Sequence, residues 1–195
     1  MLRVAILNCD FIKKEFAETY GQYPEMFRHI IKKSGLTFVY ESFNIIDFDY
    51  PASLNDFDLY LITGSKASVY DDEEWILNLF EFVRSLDNAK KNILGFCFGH
   101  QVIAHALGGY AAKFDGGWGI GTMQVKVVGA ADWMPSNTSH LDLIHVHQDQ
   151  VISLPPHAVR LAESDFCKNA AFAIGKQVFS VQGHPEFTPA YTNAL

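Results

Sequence analysis

The pentapeptide Gly95-Phe96-Cys97-Phe98-Gly99 closes an apolar run and precedes a segment of helical period, so it places a thiol on a strand-to-helix turn. Such an elbow strains the backbone at its central residue, and flanking glycines relieve the crowding. A cysteine at the start of a helix faces unpaired N–H groups and the positive end of the helix dipole, which favour the thiolate, its reactive form. The N–H of Phe98 would point to the same place as the sulfur and supply half of an oxyanion hole. This is the chemistry of nucleophilic attack on a carbonyl. The elbow alone leaves open a second reading, in which Cys97 is a buried structural cysteine.

A thiolate nucleophile needs a general acid and base to protonate its leaving group, and a third group to orient that base. Among eight histidines, His184 stands out because it lies in Gln182-Gly183-His184-Pro185-Glu186, directly after the apolar run 178–181. In an open α/β sheet the carboxyl end of a strand is the ligand side, the same edge that an elbow at Cys97 occupies. Glu186, two residues on, is placed to hold the imidazole tautomer and stabilise the imidazolium. Taken alone the tripeptide His-Pro-Glu is a weak signal. His145 and His147, near His140 and Asp149, raise a metal site as the lesser alternative, but their spacing is not specific and no metal or other cofactor is expected. Cys9 and Cys167 have no neighbouring base and read as small buried groups. The glycine-rich stretch 116–121 lacks a strand-loop-helix phosphate cradle and reads as a turn beside the site, with Trp118 as a pocket wall.

These residues require a scaffold that brings strand ends together. Short apolar runs alternate with helical periods, the pattern of a mainly parallel sheet covered by helices on both faces, an α/β fold. Strands are predicted over 3–7, 37–43, 58–63 and 92–96. Helices are predicted over 23–34, ended by Gly35, from the acidic run at 71–74 to about 85, and over 101–107, closed by Gly108. Beyond residue 110 the pattern changes to extra C-terminal strands, predicted over 122–128, 143–146, 159–163, 170–174 and 178–181, with little helix between them.

The bulk properties bound the rest. A chain of 195 residues, 49% apolar and 19% charged, has material for one substantial core and reads as a single domain over residues 1–195. A net charge of −7 without a basic cluster argues against a nucleic-acid partner. Three cysteines without a C-x-x-C pair fit reduced thiols and a cytoplasmic location. The four apolar residues 4–7 are too few for a signal peptide, and the uncharged stretch 92–112 contains glutamine, histidines and glycines, so no membrane span is expected.

Together the segments 95–101 and 183–186 resemble the class I glutamine amidotransferases, whose elbow reads G-x-C-x-G-x-Q and whose distal pair reads G-H-P-E. The resemblance extends over almost the whole chain and favours the catalytic reading of Cys97. It implies a flavodoxin-like open sheet and a Cys97-His184-Glu186 triad. The hydrolysis implied is that of a γ-glutamyl amide, glutamine to glutamate and ammonia, through a γ-glutamyl thioester. Residues 63–69, Thr-Gly-Ser-Lys-Ala-Ser-Val, lie where the family carries a loop resembling S-G-G-P-x-S-V, so Gly64 would provide the second oxyanion N–H. Ser65 and Lys66 there replace a glycine and a proline, which puts the loop shape in question. The resemblance also implies contacts to the glutamyl group from Gln101, and from His147 and Gln148 in a stretch similar to H-x-D-x-V. Such domains pair with a synthetase that uses the ammonia; here either a separate synthetase subunit does so or none is needed. A stand-alone γ-glutamyl peptidase acting on small γ-glutamyl peptides is the near-equal alternative, and a ligand-binding or regulatory module without turnover is a third. Family members continue into a further helix where this chain ends, so a C-terminal helix is expected to be lacking.

Overall fold

Val4, Ala5, Ile6 and Leu7 have no exposed surface, so the strand that carries them needs cover on both faces. A computed structural model, describing residues 1–135 and 137–195, provides it. In chain order the elements are β1 (Leu2–Asn8), α1 (Lys14–Tyr20), α2 (Tyr23–Lys33), β2 (Phe38–Asn44), β3 (Leu59–Ile62), α3 (Glu74–Asn88), β4 (Asn92–Phe96), α4 (Phe98–Ala106), β5 (Tyr110–Lys113), β6 (Gly119–Val127), β7 (His140–His147), β8 (Asp149–Ser153), β9 (Ala158–Glu163), β10 (Ala171–Ile174), β11 (Val178–Val181) and α5 (Pro189–Thr192). Because successive strand residues point to opposite faces, Val4 and Ile6 join one core with Met26 and Phe27 of α2, while Ala5 and Leu7 join the other with Leu79 of α3 and Ile103 of α4. Each such buried aliphatic side chain contributes about 1.5–3 kcal/mol.

One sheet of nine strands runs β2-β1-β3-β4-β11-β10-β9-β6-β7. Its first five strands are mutually parallel, and the remaining ones pair antiparallel. This is the helix-covered parallel sheet with extra C-terminal strands that the sequence predicts. The chain leaves β1 for β2 on one side and returns to β3 on the other, so a crevice opens at the carboxyl ends of β1 and β3. Among the described residues no helix is long and apolar enough to cross a membrane.

Some local expectations are corrected. The helix predicted from residue 71 begins at Glu74, because the Asp71 carboxylate instead accepts the N–H of Ser68 at 2.8 Å and closes a turn. The glycine-rich turn ends at Trp118: Gly119, Ile120 and Gly121 are already strand, pairing with His147, Val146 and His145. Helix α1 escaped the apolar pattern because it has no buried residue. Strands β5 and β8, absent from the predicted set, form a separate antiparallel pair. The segment after Glu186 carries α5, whose N-cap Thr188 accepts the N–H of Tyr191.

Candidate active site

Strand β4 delivers Phe96 to the sheet edge, and Cys97 follows at φ 52° and ψ −104°, a conformation strained for a residue with a Cβ. The flanking glycines are required by contact. A Cβ on Gly95 would lie 2.5 Å from Ile103 Cδ1, and one on Gly99 would lie 2.4 Å from the Ile62 carbonyl oxygen. Cys97 itself is 6% exposed and caps α4. Its N–H donates to Val181 O at 3.1 Å, which ties the elbow to the neighbouring strand β11.

Three residues past β11, the backbone N–H of His184 donates to Ile144 O of β7 at 2.7 Å, an isolated bridge between the two halves of the sheet. The imidazole is buried, and its Nδ1 lies 2.7 Å from Glu186 Oε1. Burial opposes charge on this ring, yet the nearby Glu186 carboxylate and then Cys97 hold its pKa above the ordinary imidazole value. Phe187 stacks flat on the ring, with centroids 4.0 Å apart and planes at 4°. Among the described residues Glu186 Oε2 is buried without a hydrogen-bond partner.

Gly64 borders the same space: a Cβ there would lie 3.0 Å from His184 Cε1 and 3.7 Å from Cys97 Cβ. Thr63 anchors it, accepting the Cys9 N–H at Oγ1 (2.9 Å) and donating that hydroxyl to Gly64 O (3.1 Å). Among the described residues neither Gly64 N–H nor Phe98 N–H donates to a protein acceptor. The loop beyond carries Ser65 and Lys66. Lys66 N–H donates to Asp10 Oδ2 at 2.9 Å, a bond that proline cannot make, and Lys66 Nζ reaches Asp10 Oδ1 at 2.8 Å. Farther along, the Ser68 and Tyr70 hydroxyls both donate to the Asp149 carboxylate, at 2.6 and 2.9 Å.

Gln101, buried on the first turns of α4, donates Nε2 to Asp149 O and to Gln182 Oε1. The Nδ1–H of His147 donates to the same Asp149 carbonyl, at 3.0 Å, and His147 Nε2 lies 2.8 Å from Nδ1 of His145. Burial lowers both rings, His145 to about 4 and His147 to about 3, so they are neutral near pH 7 and His145 donates to His147. The pair is thus hydrogen-bonded to itself, and among the described residues no three His, Cys, Asp or Glu side chains are grouped to hold a metal ion. Gln148 donates Nε2 to Phe114 O at 3.2 Å. Cys97, Gln101, His147, Gln148, His184 and Trp118 all line one cavity of about 550 Å³. Cys9 and Cys167 are fully buried, and burial pushes the Cys167 thiol up to about 12.

Several cavity residues had not been singled out from the sequence as site residues, among them Tyr23, Phe187 and Asp10, the partner of Lys66. The capping box of Gln22 and Glu25 was a readable sign that α2 starts beside Tyr23. Which way the ring faces depends on the packing of α2 on the sheet.

The profile of the class I glutamine amidotransferases matches residues 16–194. The chain belongs to this family. Its members are cysteine-dependent hydrolases. Similar relatives include γ-glutamyl peptidase 3 of Arabidopsis thaliana, 32% identical over 95% of this chain and 76% of that one. γ-Glutamyl peptidase 4 of the same plant is 33% identical over 96% and 75%. A subunit of the glutamine-hydrolysing GMP synthase of Methanosarcina acetivorans is 34% identical over 55% of each chain. Among solved structures, a glutamine amidotransferase from Thermotoga maritima superposes with a TM-score of 0.79 at 21% identity, covering 97% of this chain and 78% of its own. The class I amidotransferase fold accounts for both the parallel strands that carry the elbow and the antiparallel extension that meets His184.

Proposed function

We propose that this amidotransferase-family chain hydrolyses γ-glutamyl amides through a Cys97 thioester, with small γ-glutamyl peptides preferred over glutamine. The thiolate attacks the γ-carbonyl carbon, and the N–H groups of Phe98 and Gly64 receive the oxyanion. His184 gives its proton to the leaving nitrogen as the C–N bond breaks. Water, giving a proton to His184, then attacks the thioester carbonyl, and glutamate leaves as the thiolate returns. Glu186 holds the imidazole and stays ionised. Gln101, His147 and Gln148 line the same cavity and in this reading receive the glutamyl head.

The observation that carries the peptidase preference is the size and further lining of the same cavity. Besides Cys97 and His184 it is lined by Phe11, Ile12, Phe16 and Tyr191, within a volume of about 550 Å³. That is typical of sites for whole small molecules, about 300–1,000 Å³, and an ammonia leaving group needs no such additional apolar lining. The similarity to γ-glutamyl peptidases 3 and 4 over nearly the whole chain supports the same reading. The glutaminase reading, with ammonia passed to a separate synthetase subunit, draws on the GMP synthase subunit, whose similarity covers about half of this chain. Steady-state hydrolysis decides between them. Expected is a kcat/KM at least tenfold higher for γ-glutamyl dipeptides than for glutamine, with both activities lost in Cys97→Ala. Efficient glutamine turnover without a partner, and poor dipeptide turnover, would replace the peptidase by the glutaminase.

A further inference from the structure

Tyr23 opens α2 and is 8% exposed, yet its hydroxyl has no hydrogen-bond partner among the described residues and the residue lines the cavity at Cys97. The ring is buried while the unpartnered oxygen opens onto the cavity, where a bound group rather than the protein would satisfy it. Its place is fixed from two sides. The ring stacks on Phe187 at 6.2 Å and 28°, and Phe187 in turn lies flat on His184. The oxygen lies 3.5 Å from the point where a Cβ on Gly64 would sit, the point that His184 Cε1 approaches to 3.0 Å and Cys97 Cβ to 3.7 Å. The hydroxyl therefore faces the spot where nucleophile, acid and oxyanion loop converge.

We propose that Tyr23 is a further catalytic residue, whose hydroxyl oxygen accepts the N–H of the scissile γ-glutamyl amide and thereby turns the nitrogen lone pair toward His184. The inference rests on the reading of Cys97 and His184 as nucleophile and acid. An attacked secondary amide nitrogen has three directions left besides the bond that breaks: its carbon substituent, its single N–H and its emerging lone pair. Fixing the N–H fixes the lone pair, the orientation that proton transfer from His184 Nε2 requires. The proton passes from His184 to nitrogen, the C–N electron pair leaves with the amine, and Tyr23 gains or loses nothing. Burial, followed by the charges of Glu186 and Cys97, raises the phenol well above its ordinary value, so it remains the neutral hydroxyl this role needs.

The test compares an amide with an ester in Tyr23→Phe, which retains the ring and its stack on Phe187. γ-Glutamylglycine offers the N–H; the γ-methyl ester of glutamate lacks it, and kcat/KM for each reports thioester formation. The amide-to-ester ratio of kcat/KM is expected to fall about tenfold to a hundredfold in the variant, the size of one lost transition-state hydrogen bond. Both substrates are assayed in one preparation, so any loss of folded protein cancels from the ratio. An unchanged ratio overturns the proposal, whether both activities drop together, as for a packing role, or neither drops. If the wild-type protein hydrolyses neither substrate, the γ-glutamyl reading of Cys97 fails, and Tyr23's role with it, a result distinct from an unchanged ratio.

Discussion

Glu186 and His184 form a buried pair in which opposing effects meet: burial disfavours the imidazolium, and the carboxylate at 2.7 Å together with Cys97 outweighs it. Removing the charge while keeping the shape should therefore expose the burial effect. In Glu186→Gln the imidazolium is expected to lose its proton at lower pH than in the wild type. The alkaline limb of kcat/KM for a γ-glutamyl dipeptide then moves to more acidic pH, and the value at the optimum falls by about 10²-fold or more. A pH-rate profile measures both effects. An alkaline limb that stays in place would mean that Glu186 packs the ring without sustaining its charge.

At the scale of elements, the elbow is a contact between three pieces: the end of β4, the first turn of α4 and the end of β3. Gly99 is where α4 meets β3, and a methyl group there would sit 2.4 Å from the Ile62 carbonyl oxygen, with further contacts at 2.9 Å. Backbone cannot yield as a flexible side chain does. Gly99→Ala is expected to destabilise the protein by about 2–3 kcal/mol, read as a lower midpoint in urea unfolding; a midpoint within error of the wild type would show that α4 can slide without cost. The elbow was legible in the sequence because its glycines and its strand-to-helix context are local. So were the buried strands, whose apolar runs report cover on both faces. Helix α1 was not, since no side chain of it is buried, and β6 was read late because Gly119 and Gly121 look like turn residues. Of the candidate site, Cys97, His184 and Glu186 lie in short motifs, whereas Tyr23 enters at the start of α2 and Lys66 in the loop after β3, segments that only the sheet order brings to the same crevice. The Lys66 substitution was visible, but its partner Asp10 is 56 residues away in the chain, so the clamp they form could not be read locally.

For the whole molecule, the candidate site spans a seam. The parallel strands contribute Cys97 and Gly64, and the antiparallel strands fasten His184 through Ile144 and hold His147. The seam is reinforced beneath the elbow by His100, fully buried on α4. Its Nε2–H donates to Asn169 O at 2.9 Å, ahead of β10, and its Nδ1 accepts the Ser180 hydroxyl of β11 at 2.8 Å. Burial lowers its pKa to about 3, whereas an imidazole in the unfolded chain titrates at about 6.5. The sign follows from proton counting. Above about pH 6.5 neither state binds the proton and His100 imposes no penalty; as pH falls from there toward about 3, the unfolded chain takes up a proton that the folded protein refuses, so stability declines. Each pH unit well inside that window costs about 1.4 kcal/mol, so at pH 5 the loss from this residue alone is about 2 kcal/mol. His145 and His147, also lowered by burial, act in the same direction. In His100→Gln, unfolding at pH 7 should come at lower denaturant because the two bonds are disturbed, yet the further loss between pH 7 and pH 5 should shrink by about 2 kcal/mol. Equal losses in variant and wild type over that interval would mean that His100 takes up its proton in the folded protein, and that the seam tolerates charge beneath the elbow.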